Sequence, residues 1–159
     1  MKTLSAKYLP GIENLSEEEI FNELHLVDRH EIDCVNWKEY PYAPEVGFHL
    51  AFSDKVLAVL FEVNENHVKA VTLENNGPVW EDSCVEFFVQ APDGLHYTNF
   101  EMNCAGTMLA ALRKGHTIHA LGKRHNRYFY TANIADNIST GCFSFSDGTH
   151  TGHSCRAYV

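Results

Sequence analysis

The residues that could do chemistry gather in residues 79–106, VWEDSCVEFFVQAPDGLHYTNFEMNCAG. Read as two strands joined by a turn at Pro92-Asp93-Gly94, this stretch alternates with a period of two. Val85, Phe87 and Val89 face one way, as do Phe100 and Met102 on the return strand. Glu86, Asn99, Glu101 and Asn103 fall on the opposite face, with Trp80 just ahead of the first strand. A flat aromatic ring beside several hydrogen-bonding groups on a rigid sheet is the mixture a sugar site needs, because the C–H face of a pyranose packs on an aromatic ring. Glu86 and Glu101 also admit a second chemistry. Paired carboxylates hydrolyse glycosides, at about 5–5.5 Å apart with retention and about 6.5–9.5 Å with inversion. Adjacent strands could supply either separation, and a plain solvated face would look the same.

Other site chemistry is thinly signalled. His116-x-x-His119 and His150-x-x-His153 have a spacing that suits zinc on a helix, but no Cys or carboxylate completes a known pattern. Oxygen-rich segments at Glu74-Asn75-Asn76 and Glu81-Asp82 could face a hard cation, without an EF-hand pattern. No nucleophile elbow, glycine-rich phosphate loop or dinucleotide fingerprint is present.

The elements that must position these residues read mainly as strands. Ser16 and Glu19 form a capping box ahead of a short helix over about 17–26, with Ile20, Phe21, Leu24 and Val27 at helical spacing. Residues 34–37 read as a short first strand that holds Trp37 structurally, and 40–46 as an extended connector with two prolines. Strands follow over 46–52, 56–63 and 68–73. A loop over 74–78 delivers Trp80 to the hairpin, and a further strand covers 107–113. Beyond Arg113 only 128–131 and 142–145 look strand-like, fewer than a closed sandwich wants. The expectation is a single all-β domain over 1–159, an antiparallel β-sandwich of the jelly-roll or immunoglobulin-like kind with a short N-terminal helix.

Composition narrows the partners. The 159 residues carry a formal net charge of −9. The charge is lopsided, −13 over residues 1–103 and +4 over 104–159. An acidic surface argues against nucleic acid and anionic membranes as partners. No segment has the apolar length of a signal peptide or of a membrane span. As written, the chain reads as cytoplasmic; with a leader removed it would be extracellular or periplasmic. Five cysteines, Cys34, Cys84, Cys104, Cys142 and Cys155, are odd in number and lack C-x-x-C spacing, so they read as free thiols.

The run Val79-Trp80-Glu81-Asp82-Ser83-Cys84-Val85-Glu86-Phe87-Phe88 resembles the hallmark of family 9 carbohydrate-binding modules. With Tyr97-x-Asn99-Phe100-Glu101-x-Asn103-x-x-Gly106 and, upstream, Asn36-Trp37-x-Glu39-Tyr40-Pro41-Tyr42-x-Pro44, it is similar to a bacterial family-9-like branch, matched over about residues 34–113. The resemblance implies a non-catalytic β-sandwich that binds xylan or glucan chains, often appended to xylanases and often carrying structural calcium. It places Trp80 at the first of two sugar-sandwiching tryptophans and Glu86 at a sugar-contacting carboxylate. The well-studied modules carry an Arg about where Glu101 stands. Their second tryptophan has no counterpart after Arg113, since Trp37 and Trp80 are the only two in this chain. The expected ligand face is therefore Trp80, Glu86, Asn99, Glu101 and Asn103, with no catalytic residue and no cofactor beyond that calcium. The alternatives are a glycoside hydrolase using Glu86 and Glu101, and a protein-interaction module. A shortened C-terminal part would leave an open strand edge and favour a homodimer.

Overall fold

The computed structural model describes residues 4–35, 37–90, 95–114, 117–120, 129–135 and 138–145, with the backbone alone for Gln90 and from 117 onward. In chain order its elements are β1 (Lys7–Tyr8), α1 (Glu17–His25), β2 (His30–Glu31), β3 (Glu45–Phe52), β4 (Leu57–Asn64), β5 (Cys84–Gln90), β6 (His96–Asn103), β7 (Met108–Lys114), β8 (Thr117–Ala120), β9 (Phe129–Ala135) and β10 (Ile138–Phe145). The expected all-β character, with one short helix near the N-terminus, is what the chain adopts. Its described residues divide into two compact units, one holding β1 to β4, α1, β9 and β10, the other β5 to β8.

The first unit is a sheet in the order β1-β3-β4-β10-β9, with β2 also paired to β3. All pairings are antiparallel except β1 with β3. The helix begins where the capping box predicts: the Ser16 side chain accepts from the Glu19 N–H, and the Glu19 carboxylate accepts from the Ser16 N–H at 2.8 Å. Its inward residues Ile20 and Leu24 pack on Ala51, Ala58 and Leu60, together with Ile12. The two alanines keep the sheet surface low, so the helix can lie close to it. Burying a side chain such as Leu24 or Leu60 contributes about 1.5–3 kcal/mol each. The same strands bury their other face too: Phe48, Leu50, Val59 and Phe61 are all covered. Period-two alternation predicts one buried face here; the near-continuous apolar runs of β3 and β4 are the signature of strands covered on both sides.

The second unit is an antiparallel sheet in the order β5-β6-β7-β8. Cross-strand rows on its polar face run Cys84–Asn103, Glu86–Glu101–Leu109 and Phe88–Asn99–Ala111. The antiparallel pairing of β5 with β6 and the common face of Glu86, Asn99, Glu101 and Asn103 are as the alternation predicts; the expected turn at Pro92-Asp93-Gly94 lies outside the described residues.

Three sequence expectations give way. Cys34, Val35 and Trp37 are not in a strand, and Trp37, expected to be structural, is 64% exposed. Residues 68–73 are not a strand either: Val71 and Leu73 are exposed, and the segment is held instead by side chains of residues 82 and 83. The deficit expected after Arg113 is made up by β9 and β10. β10 runs beside the whole of β4 from Ile138–Asn64 to Phe145–Leu57. Its sequence, ISTGCFSF, carries Ser, Thr and Gly, which blur the hydrophobic pattern while leaving the backbone ladder intact.

Candidate functional site

The site is built on the loop that precedes β5. Asp82 is buried, and its carboxylate accepts from the backbone N–H of Val71 (3.1 Å) and Thr72 (2.8 Å) and from Asn103 Nδ2 (2.9 Å). Burial works against its charge, but the Thr72 and Val71 N–H groups and the Asn103 amide outweigh it, holding the carboxyl at about 2. Asn103 is buried as well. It donates to the Thr72 carbonyl at 2.9 Å and accepts from the N–H groups of Ala105 (3.1 Å) and Thr107 (3.0 Å). Lys69 and Ser83 add a further pair of contacts, Ser83 N–H to the Lys69 carbonyl and Lys69 N–H to Ser83 Oγ. The loop is thus tied to the sheet at both ends.

Gly77 is required in that loop, because a Cβ there would sit 2.9 Å from the Glu74 carbonyl and from Thr72 Cγ2. Asn75 and Asn76 then cap the part of β7 that β8 does not reach. Their side-chain oxygens accept from the N–H groups of Met108 and Ala110 at 3.1 and 3.2 Å, and Asn76 N–H donates to the Met108 carbonyl. That edge is closed to strand addition.

With the loop held down, Val79 is fully buried against Leu109, Ala111 and Cys84, on the same face as the carboxylates. The next residue, Trp80, is left 55% exposed at that spot. The short 3-10 turn Val79–Glu81 therefore divides the labour: one side chain anchors and its neighbour presents.

Beside this turn lie the two glutamates. Glu86 is half-buried and directly opposite Glu101, which is buried. Burial pushes the Glu86 carboxyl up, opposed by the charge of Arg113. Burial, and then the charge of Glu86, push Glu101 up; Arg113 and Asn99 act in the other sense. Asn99, also buried, donates from Nδ2 to Glu101 Oε1 at 2.6 Å, and Arg113 Nη2 stands 3.7 Å from the same oxygen. Sequence reasoning did not single out Arg113, because it lies two rows along the sheet from its ion-pair partner; its register partner on β6 is Tyr97.

The five predicted site residues therefore share one face, as the alternation requires, but they are not equally open. Asn99, Glu101 and Asn103, expected to point outward to ligand, are covered. Trp80 and Glu86 keep exposure. The reason is that the loop over residues 67–83, expected partly as a strand, folds onto the rows at Asn103 and Leu109. A hydrolytic pair needs both carboxyl groups at the substrate, and Glu101 Oε2 is sealed from solvent.

Of the oxygens suggested for a hard cation, Asn75, Asn76 and Asp82 are already engaged by protein donors, so they do not fit a calcium site. Among the described residues no group of three or more His, Cys, Asp or Glu side chains is placed to hold a metal. The His116, His119, His150 and His153 pairs lie outside the described side chains. Cys34, Cys84 and Cys104 are free thiols as expected; the Cys142 side chain and Cys155 also lie outside the described part. No helix among the described residues is long and apolar enough to cross a membrane.

Comparison with known proteins bears on this arrangement. The profile of carbohydrate-binding family 9 matches residues 17–143. A crystal structure described as a candidate carbohydrate-binding protein from Bacteroides uniformis ATCC 8492 superposes with a TM-score of 0.79 at 28% identity, over 94% of this chain and 77% of that one. A family 9 carbohydrate-binding module from Caldicellulosiruptor kristjanssonii, in complex with glucose, superposes with a TM-score of 0.61 at 12% identity, over 82% of this chain and 62% of that one. At that identity the second likeness is one of fold, and it is the antiparallel β-sandwich expected from the sequence. The curated proteins gave no match.

Proposed function

The chain belongs to carbohydrate-binding family 9, and on that premise we propose that it binds neutral oligosaccharide or polysaccharide of the xylan or glucan class without hydrolysing it. Trp80 is the stacking platform and Glu86 accepts from sugar hydroxyls. Asn99 and Glu101 back the site from within the sheet, and Asn103 holds the platform loop in place. The observation that carries this reading is the 55% exposed Trp80 beside the anchored Val79, on the face that also holds half-buried Glu86. A large aromatic left open on a loop tied down by so many hydrogen bonds is preorganised to meet a ligand, which limits the ordering cost of binding. With Trp80 as the one stacking face, the affinity is expected to be weak, in the millimolar range or about −4 kcal/mol; this counts the described residues alone. The closed β7 edge gives no support to a homodimer formed by strand addition there.

Calorimetric titration with xylo- and cello-oligosaccharides tests the reading. Heat with at least one of these sugars, abolished in Trp80→Ala, is the expected result. Absence of heat with every sugar, or an unchanged response in Trp80→Ala, overturns it.

A further inference from the structure

The polar face of the second sheet contains three sealed side-chain atoms that make no hydrogen bond among the described residues: Asn99 Oδ1, Glu101 Oε2 and Arg113 Nε. Buried polar atoms are nearly always paired, so three in one cluster call for an explanation. They are not scattered. Asn99 and Glu101 are joined by the 2.6 Å bond from Asn99 Nδ2, and Arg113 Nη2 approaches Glu101 Oε1 at 3.7 Å. That last separation is an ion pair but too long for a hydrogen bond. The guanidinium is thus held near Glu101 by charge without being locked to it.

The sheet register shows how Arg113 reaches so far. Its own row contains Tyr97, while Glu101 stands two rows away beside Leu109. The intervening residue of β7 on that face is Ala111, whose small side chain leaves a lane along the strand. Val79, the anchor of the Trp80 turn, packs on the same Ala111 and Leu109. Arg113 thus runs along the strand toward the row, Glu101 and Leu109, on which the anchor of the Trp80 turn is seated. Of the ion pair, the Arg113 side chain keeps 19% of its surface and that of Glu101 only 4%. A ligand on this face meets the arginine before it meets the acid.

We propose that Arg113 is a specificity-determining residue of the sugar site, donating from its guanidinium to ligand hydroxyls, and that Glu101 is a positioning residue that aims Arg113 rather than touching the sugar. This rests on the sugar-binding reading above and assigns roles within it. Glu86 supplies acceptors and Arg113 donors, so vicinal hydroxyls, which both donate and accept, are matched on both counts. An arginine fork suits two adjacent oxygens better than a lysine ammonium does. A sugar on this face would draw the partly exposed guanidinium, held near Glu101 by charge but not locked to it, into defined hydrogen bonds.

The test is calorimetry on the full chain with cello- and xylo-oligosaccharides, using Trp80→Ala, Arg113→Met, Arg113→Lys, Glu101→Gln and the Arg113→Met/Glu101→Gln double variant. Arg113→Met lowers affinity about tenfold or more, the scale of hydrogen bonds to a charged group. Arg113→Lys, which keeps charge and fold but not the fork, gives an intermediate loss. Glu101→Gln lowers affinity in the presence of Arg113 and has no effect in its absence, a non-additivity that a merely structural role would not produce. If Trp80→Ala abolishes binding while both Arg113 variants stay within twofold of wild type, the role of Arg113 is overturned and the sugar site stands. Additive losses overturn the positioning role of Glu101. No binding by the wild type overturns both. Should Arg113→Met fail to fold, Arg113→Lys with and without Glu101→Gln decides the same questions.

Discussion

Glu86 and Glu101 stand directly opposite one another on adjacent antiparallel strands, on the same face of the sheet. Like charges so placed repel, and here one is buried and the other half-buried, with the charge of Arg113, on the next strand, acting on both carboxylates. The arrangement is a cost to folding that the proposed ligand face retains. That is what a site looks like when function rather than stability selects its residues.

Glu86→Gln is expected to stabilise the protein at pH 7 by on the order of 0.5–1 kcal/mol, the scale of a relieved cross-strand repulsion. The sign follows from two raised carboxyls, that of Glu86 by burial and that of Glu101 by burial and then by the charge of Glu86. A group whose carboxyl is raised in the folded state is fully tolerated below its unfolded value, about 4.3 for Glu, and destabilises as pH rises through its folded value. The gain should therefore disappear at about pH 4. Urea unfolding of wild type and variant at both pH values checks it; an equal gain at the two would contradict the proposed origin.

Asp82 titrates in the opposite sense. Its carboxyl is held at about 2, so its contribution is present above the ordinary Asp value of about 3.9 and is lost as pH falls through that range toward 2. Asp82→Asn removes the charge and part of the acceptor capacity that holds Val71 and Thr72. Amide exchange at Val71 and Thr72 should quicken in this variant, and wild type should show the same acceleration on acidification toward pH 2. Unchanged exchange at these two amides would show that the loop is held by other contacts.

Asn103→Ala takes one partner from each of the buried Thr107 N–H and Asp82 carboxylate, from the half-buried Thr72 carbonyl and from the N–H of exposed Ala105. A loss of about 2–4 kcal/mol is expected, a few buried groups at about 1–3 kcal/mol each with some relaxation. Thermal unfolding measures it, and sugar affinity should fall together with stability because the Trp80 loop loses its tether. A variant as stable as wild type would remove Asn103 from this role.

The thiols should differ in reactivity. Burial, followed by the charges of Glu86, Glu101, Asp82 and Glu65, pushes Cys84 up to about 12, whereas Cys34 is exposed. Since the thiolate is the reactive form, iodoacetamide at pH 8 should label Cys34 and spare Cys84 in the folded protein. Peptide mass spectrometry reads this directly. Rapid labelling of Cys84 under native conditions would show that its strand opens readily.

Much of this protein is written in its local sequence. The capping box at Ser16 and Glu19, the turn-bounded strands β3 to β6, and the common face of Glu86, Asn99, Glu101 and Asn103 all depend on spacing, because strand and helix periods are local properties of the backbone. The motif around Trp80 likewise led to the family that the comparisons show. What only the tertiary structure decided is which members of that face stay open. Period two assigns a side to each residue but cannot say what will cover that side. Here the segment over 67–73, apolar enough to read as a strand, is captured by the Asp82 carboxylate and the Ser83 hydroxyl and leads into a loop folded over Asn103 and Leu109. Arg113 was illegible for a related reason. Its partner lies two rows away across the intervening Ala111, a relationship that exists only once β6 and β7 are in register. The sequence alone determined the strands and their faces, since backbone geometry is local. Long-range hydrogen bonds between loop and sheet decided that Trp80 is presented and Asn103 buried, and the pairing of β6 with β7 decided that a guanidinium stands beside Glu101.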